Sequence, residues 1–441
     1  MISAIRIWVV VVVIGVGCIG AAGLYGPYLA KTMLPQFFVM RAVVNLTQEI
    51  GVNAETLQVI PVMAEEIRNE SWRQELTLRI DQLEVDILPN IDPAILSVAE
   101  VLSFRNISRW DSNREAFAAE LAVQMAVTTV ASADLYLDRE LIAVYIPMLF
   151  DFSIMVDPRR LGSEWDDSIF GNVLSPDLME DELFYQMYEE MLFDPREEID
   201  FEEFVNSLAG LAMYVEFEYA GRQNFNDTDQ IVDVFHLTVP ENYIRDIVGI
   251  VIQDARFTDD LALVLYINGN QLLGMDFVAR LNIDNSQFVK SGFLHFLEAG
   301  RIQFEVILLE GIRSMQSANG YLVFEGGSRY QSVSFDVNLI GNRYPASSLL
   351  TTPSTVSADG RVRLFPQDKR IEADINNLSL VWQDNYVSVN IRYQLQIRDE
   401  AVIFDKNNAR LLTDLNLFDL LGLYARFGSS PLGGVIGNLL P

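Results

Sequence analysis

Cysteine is nearly missing from this chain: Cys18 is the single one among 441 residues. One cysteine can neither close an internal disulfide nor build a thiolate zinc site. Histidine is almost as scarce, with only His236 and His295. Each lies in a stretch that reads as a strand with apolar neighbours, and neither has a companion at metal-ligand spacing. Zinc sites and Cys/His nucleophiles are therefore excluded. Positive charge is short as well, 31 Lys and Arg against 61 Asp and Glu, a formal charge of −30. Nucleic acid is a poor partner for such a chain, because like charges repel. Also missing are a phosphate-cradling loop that closes on Gly-Lys and a nucleophile elbow; Gly428-Ser429-Ser430 lacks the pattern. The sequence thus assigns no catalytic residue, no cofactor site and no metal site.

Two acidic features invite a site and are better explained as surface. Adjacent carboxylates occur at Asp166-Asp167, Asp181-Glu182 and Asp259-Asp260. They keep a carboxylate-dependent hydrolase as a third functional reading. The run Ile199-Asp200-Phe201-Glu202-Glu203-Phe204 resembles the closing half of a calcium loop. Counting back, however, places Leu192 at position 1, Arg196 at position 5 and Glu197 where glycine is required. An acidic helix start accounts for it better.

What the sequence has in plenty is apolar surface, half of all residues. The longest run is Ile7–Leu24, inside an uncharged stretch between Arg6 and Lys31. A helix of that length, at about 1.5 Å per residue, matches a hydrocarbon core of about 30 Å. Its expected anchor residues are Trp8, Val9, Val10, Val11, Val12, Val13, Ile14, Ile19, Leu24 and Tyr25, with Trp8 and Tyr25 at the two interfaces. An uncleaved signal-anchor is the leading reading. A cleaved signal and a lipoprotein signal with lipidation at Cys18 are the alternatives. Arg6 and the terminal amine favour a cytoplasmic N-terminus, which puts the bulk outside a plasma membrane crossed once; Lys31 and Arg41 oppose this in part.

Beyond the run, Pro35–Ile50 reads as a helix and Ala54–Arg68 as a second piece broken at Pro61. From Trp72 the period falls to two. Leu76, Leu78 and Ile80 share one parity, and Leu83, Val85 and Ile87 the other. Strands follow at Phe117–Thr129, Ala133–Leu137 and Leu141–Pro147, the last two joined at Asp138-Arg139-Glu140. An acidic, aromatic insert, 161–224, holds a helical pattern at Asp177–Leu192 and another at Phe201–Met213; Asn224–Asp229 reads as a boundary. Strands resume at Ile231–Val239, in a hairpin around Asn268-Gly269-Asn270, and at Arg301–Leu309, Ser332–Ile340 and Val387–Arg398. Asp414–Phe427 reads as an amphipathic helix, with core capping and membrane contact as its two explanations.

Leu135-Tyr136-Leu137-Asp138 and Leu265-Tyr266-Ile267-Asn268 both run into hairpins, as a duplication would produce. The expected fold class is α+β: a transmembrane helix, then two halves of curved antiparallel sheet packed by helices. The expected divisions are an anchor at 1–32, a stalk and first sheet half at 33–160, the insert at 161–224, a second half at 225–412 and a C-terminal helix and apolar tail at 413–441. Such sheets can enclose an apolar cavity or only their own side chains.

At Ala133–Pro158 and the following Leu161-Gly162, the sequence resembles a group of membrane-anchored bacterial proteins, mostly from Gram-positive anaerobes. More loosely, the architecture resembles lipoprotein carriers of the LolA/LppX kind. The resemblance implies an extracytoplasmic, cell-envelope protein and brings no catalytic motif. The functional expectation is noncatalytic binding or transfer of a lipid or other hydrophobic ligand. The alternative is an envelope scaffold that contacts another envelope protein.

Overall fold

The computed structural model describes residues 39–46 in part, 69–84, 100–169 except 127, 181–192, 214–244 except 226–228, 256–283 except 258, 286–297, 300–310, 313–326, 330–341, 354–382 and 385–429. Nineteen strands are described. The chain divides into two compact units. Unit 1 takes 1–62, 198–364 and 379–383, and unit 2 takes the remainder.

Unit 2 begins with β1 (Trp72–Glu84), whose two edges are both taken. One pairs antiparallel with β2 (Leu102–Asp111), the other with β18 (Asn385–Ile397). A meander continues through β3 (Ala116–Met125), β4 (Thr128–Leu137), β5 (Ile142–Tyr145) and β6 (Ser153–Val156). β6 then pairs in parallel with β19 (Ala409–Leu411).

The parity change within β1 has a structural cause. Ile80 faces Val389 and Gln82 faces Ser388, so Asp81 is one residue too many. This bulge returns Leu83, opposite Val387, to the side of Leu76, Leu78 and Ile80. The side-chain amide of Asn390 donates to the Asp81 carboxylate.

Unit 1 is a longer meander. β7 (Glu216–Asn224) pairs with β8 (Ile231–Val239), β8 with β10 (Leu261–Asn268), and β10 with β11 (Gln271–Ile283). The short β9 (Arg256–Phe257) meets the far end of β11. Then follow β12 (Ser286–Leu297), β13 (Arg301–Glu310), β14 (Arg313–Gly326), β15 (Gln331–Gly341) and β16 (Ser354–Phe365), each antiparallel to the last. The β10–β11 turn is Gly269-Asn270, with Gly269 at φ +62°. The glycine therefore takes the first loop position and Asn268 ends its strand, whereas an Asn-Gly loop would hold the glycine second. Asn224–Asp229 begins at the β7–β8 hairpin end, with Asn224 paired to Ile231.

Helices are few among the described residues. They include α1 (Leu161–Asp167), α2 (Asp181–Leu192) and α3 (Leu417–Ser429). The expected α+β class with two sheet halves is corrected: the chain is mainly β, and its C-terminal β18 pairs with β1, so the halves do not follow in sequence. The expected single-pass anchor is corrected too. No described helix is long and apolar enough to cross a membrane. The run Ile7–Leu24, with all its anchor residues and Cys18, lies outside the described residues. Plasma-membrane attachment through that helix, and the extracytoplasmic placement built on it, are not carried forward.

Candidate functional site

The two faces of the unit 1 sheet differ chemically, because antiparallel neighbours place facing residues on the same side. One row runs Leu237, Leu263, Phe277, Gly292, Val306, Ala318, Leu339 and Val356 across eight strands. The next runs Phe235, Leu265, Met275, Leu294, Phe304, Gly320, Val337 and Ala358. Helical residues Val39, Ala42, Val43 and Leu46 join these side chains in one buried cluster. Asn45 ties that segment to the β10–β11 turn by donating its side-chain amide to the Asn270 carbonyl at 3.0 Å. Burying each large side chain here contributes about 1.5–3 kcal/mol. This face is thus occupied by the chain's own residues. That finding overturns the expected lipid carriage, since the apolar face is packed as a core.

A lysine shares that face. Lys290, paired with Ala279 and Leu308, is 3% exposed. Burial pulls its ammonium down to about 7.

The opposite face is polar and half-buried to exposed, and is the wetter of the two. Its rows read His236, Val264, Asp276, Phe293, Glu305, Asn319, Asn338, Ser357 and, beside them, Tyr266, Gly274, His295, Gln303, Tyr321, Asp336, Asp359. Asn319 and Asp336 are exposed. The Arg301 guanidinium lies 3.9 Å from the centre of the Tyr321 ring.

At one end of this face several rings converge. Tyr266 donates its hydroxyl to Asp276 at 2.6 Å. Burial, reinforced by that bond, pushes the phenol above its ordinary range. Phe225, at the end of β7, sits 5.4 Å from the Tyr266 ring and 5.1 Å from the His295 ring. Phe293 stands 4.7 Å from the His295 ring. Burial holds the imidazole below its usual value, with Asp276 opposing. The floor beneath Phe225 is Gly274, where an added Cβ would lie 3.0 Å from the phenyl ring.

Unit 2 has a related but separate tyrosine. Tyr136 donates to the Asp138 carboxylate at 2.7 Å, and Tyr188 donates to the Asp138 carbonyl at 2.7 Å. These bonds brace the β4–β5 turn. Helix α3 carries apolar residues outward: Phe418 is 83% exposed, and Leu417 and Leu421 are exposed as well. The core-capping account of this helix fails for those three residues. Arg426 fixes the helix through a two-pronged bond to Asp151, at 2.9 and 2.6 Å.

The residues singled out from sequence do not gather into one site. His236 and His295 lie on the same wet face, in β8 and β12. Asp181 binds the amides at the start of α1, Asp260 accepts the Glu241 amide at 2.9 Å, and Asp259 pairs with Arg280 at 2.5 Å. Asp166 and Asp167 end α1. The calcium-like run at 199–204 lies outside the described residues. Among the described residues no cluster of three or more His, Cys, Asp or Glu is placed to hold a metal ion. Sequence reading missed the seat of Phe225 and the burial of Lys290. The second had a signal, because Lys290, Gly292, Leu294 and Phe296 share one parity.

No protein-family model matches the chain. No curated protein matches either. Among solved structures, a mutant of Rh. blastica porin aligns at 8% identity and a TM-score of 0.23, covering 74% of this chain and 98% of that one. A second mutant of the same porin aligns at 7% identity and a TM-score of 0.22, over the same shares. The CymD monoaromatic hydrocarbon channel aligns at 10% identity and a TM-score of 0.19, covering 80% and 97%. At such scores the functional reading rests on the chain's own geometry.

Proposed function

We propose that this chain is a noncatalytic binding scaffold whose working surface is the wet face of the unit 1 sheet. The supporting observation is the sidedness of β8 and β10–β16. Their apolar rows are packed by the 39–46 helical segment, while the opposite rows carry acids, amides and aromatic rings, with His236, Asn319 and Asp336 exposed. A membrane-spanning barrel turns its apolar side chains outward to lipid, whereas here they are gathered inward. The acids at Asp276, Glu305, Asp336 and Asp359 suit a partner that offers cationic or hydrogen-bond-donating groups.

The test places a photo-crosslinking residue at Asn319 or Asp336 in cells of the source organism. A discrete adduct from both positions, weakened by Asp336→Lys when the crosslinker is at Asn319, supports the reading. Stepwise conductance of the purified chain in a planar bilayer overturns it, as does crosslinking that Asp336→Lys leaves unchanged.

A further inference from the structure

We propose that Tyr214 and Tyr243 form an oxidative coupling site, where a one-electron oxidant joins the two phenol rings into dityrosine and staples the start of β7 to the turn after β8.

The two rings lie face to face, with centroids 3.8 Å apart and planes 14° from parallel. Aromatic pairs ordinarily keep their centroids about 4.5–7 Å apart, offset or edge-on, so this pair is unusually close. The Tyr243 hydroxyl is bonded to that of Tyr214, and the polar ends of the stack therefore lie together. The ring carbons beside the hydroxyls, where phenoxyl radicals couple, are thus brought opposite one another.

The backbone holds one ring and leaves the other accessible. Tyr243 sits in the helical turn that follows Pro240, its amide donating to the Pro240 carbonyl at 3.1 Å. The next residue, Ile244, is fully buried, and the Tyr243 ring packs against the same apolar cluster. Tyr214 precedes Val215, which is buried in that cluster too, yet its own side chain is 44% exposed. The stack is therefore open to a small oxidant from the Tyr214 side. By contrast, Tyr185 and Tyr188 stand 6.4 Å apart with planes 33° from parallel, and Tyr188 is buried with its hydroxyl bonded to the Asp138 carbonyl. That pair has neither the contact nor the access.

The step balances with hydrogen peroxide as the final oxidant, used by a haem peroxidase. Each phenol gives one electron to the peroxidase and one proton to water, leaving two phenoxyl radicals. These join through a carbon–carbon bond between their ortho positions. Each ortho hydrogen then moves as a proton to its own ring's oxygen, which restores the phenols. Two hydrogen atoms leave the protein, and one hydrogen peroxide becomes two waters. A chain whose single cysteine, Cys18, cannot close an internal disulfide gains a covalent staple this way, across the loop from position 214 to 243.

The experiment treats the full chain with a haem peroxidase and hydrogen peroxide, isolates the monomer and maps it by mass spectrometry after trypsin. Peptides 197–222 and 223–245 should appear joined, lighter than their sum by two hydrogen atoms. The urea midpoint of the treated monomer should move upward, as closing a loop covalently implies. Tyr214→Phe and Tyr243→Phe keep the stacked rings and remove one phenol, so each should fold and each should abolish the joined product. Peptide 197–222 also holds Tyr219, and Tyr219→Phe should couple like the natural chain. Absence of the joined peptides from the natural chain, their survival in Tyr214→Phe, their loss in Tyr219→Phe, or an unmoved midpoint overturns the proposal.

Discussion

The Oδ2 atom of Asp111 accepts a hydrogen bond from the amide of Val402, 3.1 Å away and 291 residues further along the chain. Its Oδ1 atom accepts from the amides of Asn113 and Arg114, at 3.1 and 3.3 Å. Arg114 closes the loop by donating to the Val402 carbonyl at 3.1 Å. One carboxylate at the end of β2 thus holds both its own turn and the segment after β18. Asp111 is only 2% exposed.

Replacing Asp111 with alanine leaves the buried Val402 amide without its acceptor. The expected loss is about 3 kcal/mol, the size of an orphaned buried donor together with lost charge-assisted bonds. Asp111→Asn keeps one acceptor oxygen and should lose roughly half of that. Urea midpoints measure both. Equal midpoints for Asp111→Ala and the natural chain would show that the Val402 segment finds another partner.

Lys290 predicts a pH dependence with a definite sign. Burial lowers its ammonium from 10.5 to about 7, so between those values the unfolded chain binds the extra proton. Stability should therefore rise as pH increases from about 7 toward 10.5, with the cost of the buried charge fully present below that window. Lys290→Met keeps the length and removes the charge. Its stability relative to the natural chain should be greatest at neutral pH and shrink as the solution becomes alkaline. A constant difference across the window would assign the effect to packing.

Gly292 lies in a tight part of the core face. A Cβ there would collide with the Glu305 carbonyl and with Val306 on the neighbouring β13. These are a backbone atom and a β-branched side chain, and neither yields easily. Gly292→Ala should cost about 1–3 kcal/mol despite the gain in strand propensity, again read from the urea midpoint. A stabilised variant would mean that β12 and β13 separate readily.

Local grammar was readable in the sequence, and long-range pairing was not. The switch of parity between Ile80 and Leu83 marks the Asp81 bulge, and Ile231–Val239 delimits β8 to the residue. Both are consequences of the two-residue repeat of a strand. Nothing local says that Trp72 faces Ile397, because any strand of matching length and sidedness could pair there. The expected two halves failed at that point. Apolar alternation likewise reveals that a strand has a buried side without revealing whether a void or a helix lies against it; the 39–46 segment supplies the answer. The seat of Phe225 needs three strands and a turn aligned in register, and no single stretch of sequence encodes it.

Asp181 gives the last prediction, again through pH. It opens α2, yet its Oδ1 accepts the amides of Gly162 and Ser163 in α1, at 2.5 and 3.2 Å. Burial raises its carboxyl, but the bonds from Ser163 and Gly162 outweigh this and hold it below the usual range. A depressed carboxyl stabilises the fold above its unfolded value, about 3.9, and that contribution disappears as pH falls through the folded one. Asp181→Ala should cost about 1 kcal/mol near neutrality, as loss of a helix cap does. Its gap from the natural chain should close below about pH 4. Asp181→Asn still offers a neutral acceptor, so it should retain part of the stability while losing the acid-dependent part. Glu164, whose carboxyl is raised by burial and further by the Asp181 charge, acts in the opposite sense, and both variants relieve the part that comes from Asp181. A gap that persists unchanged into acid would remove the charge on Asp181 from the explanation and leave only its shape.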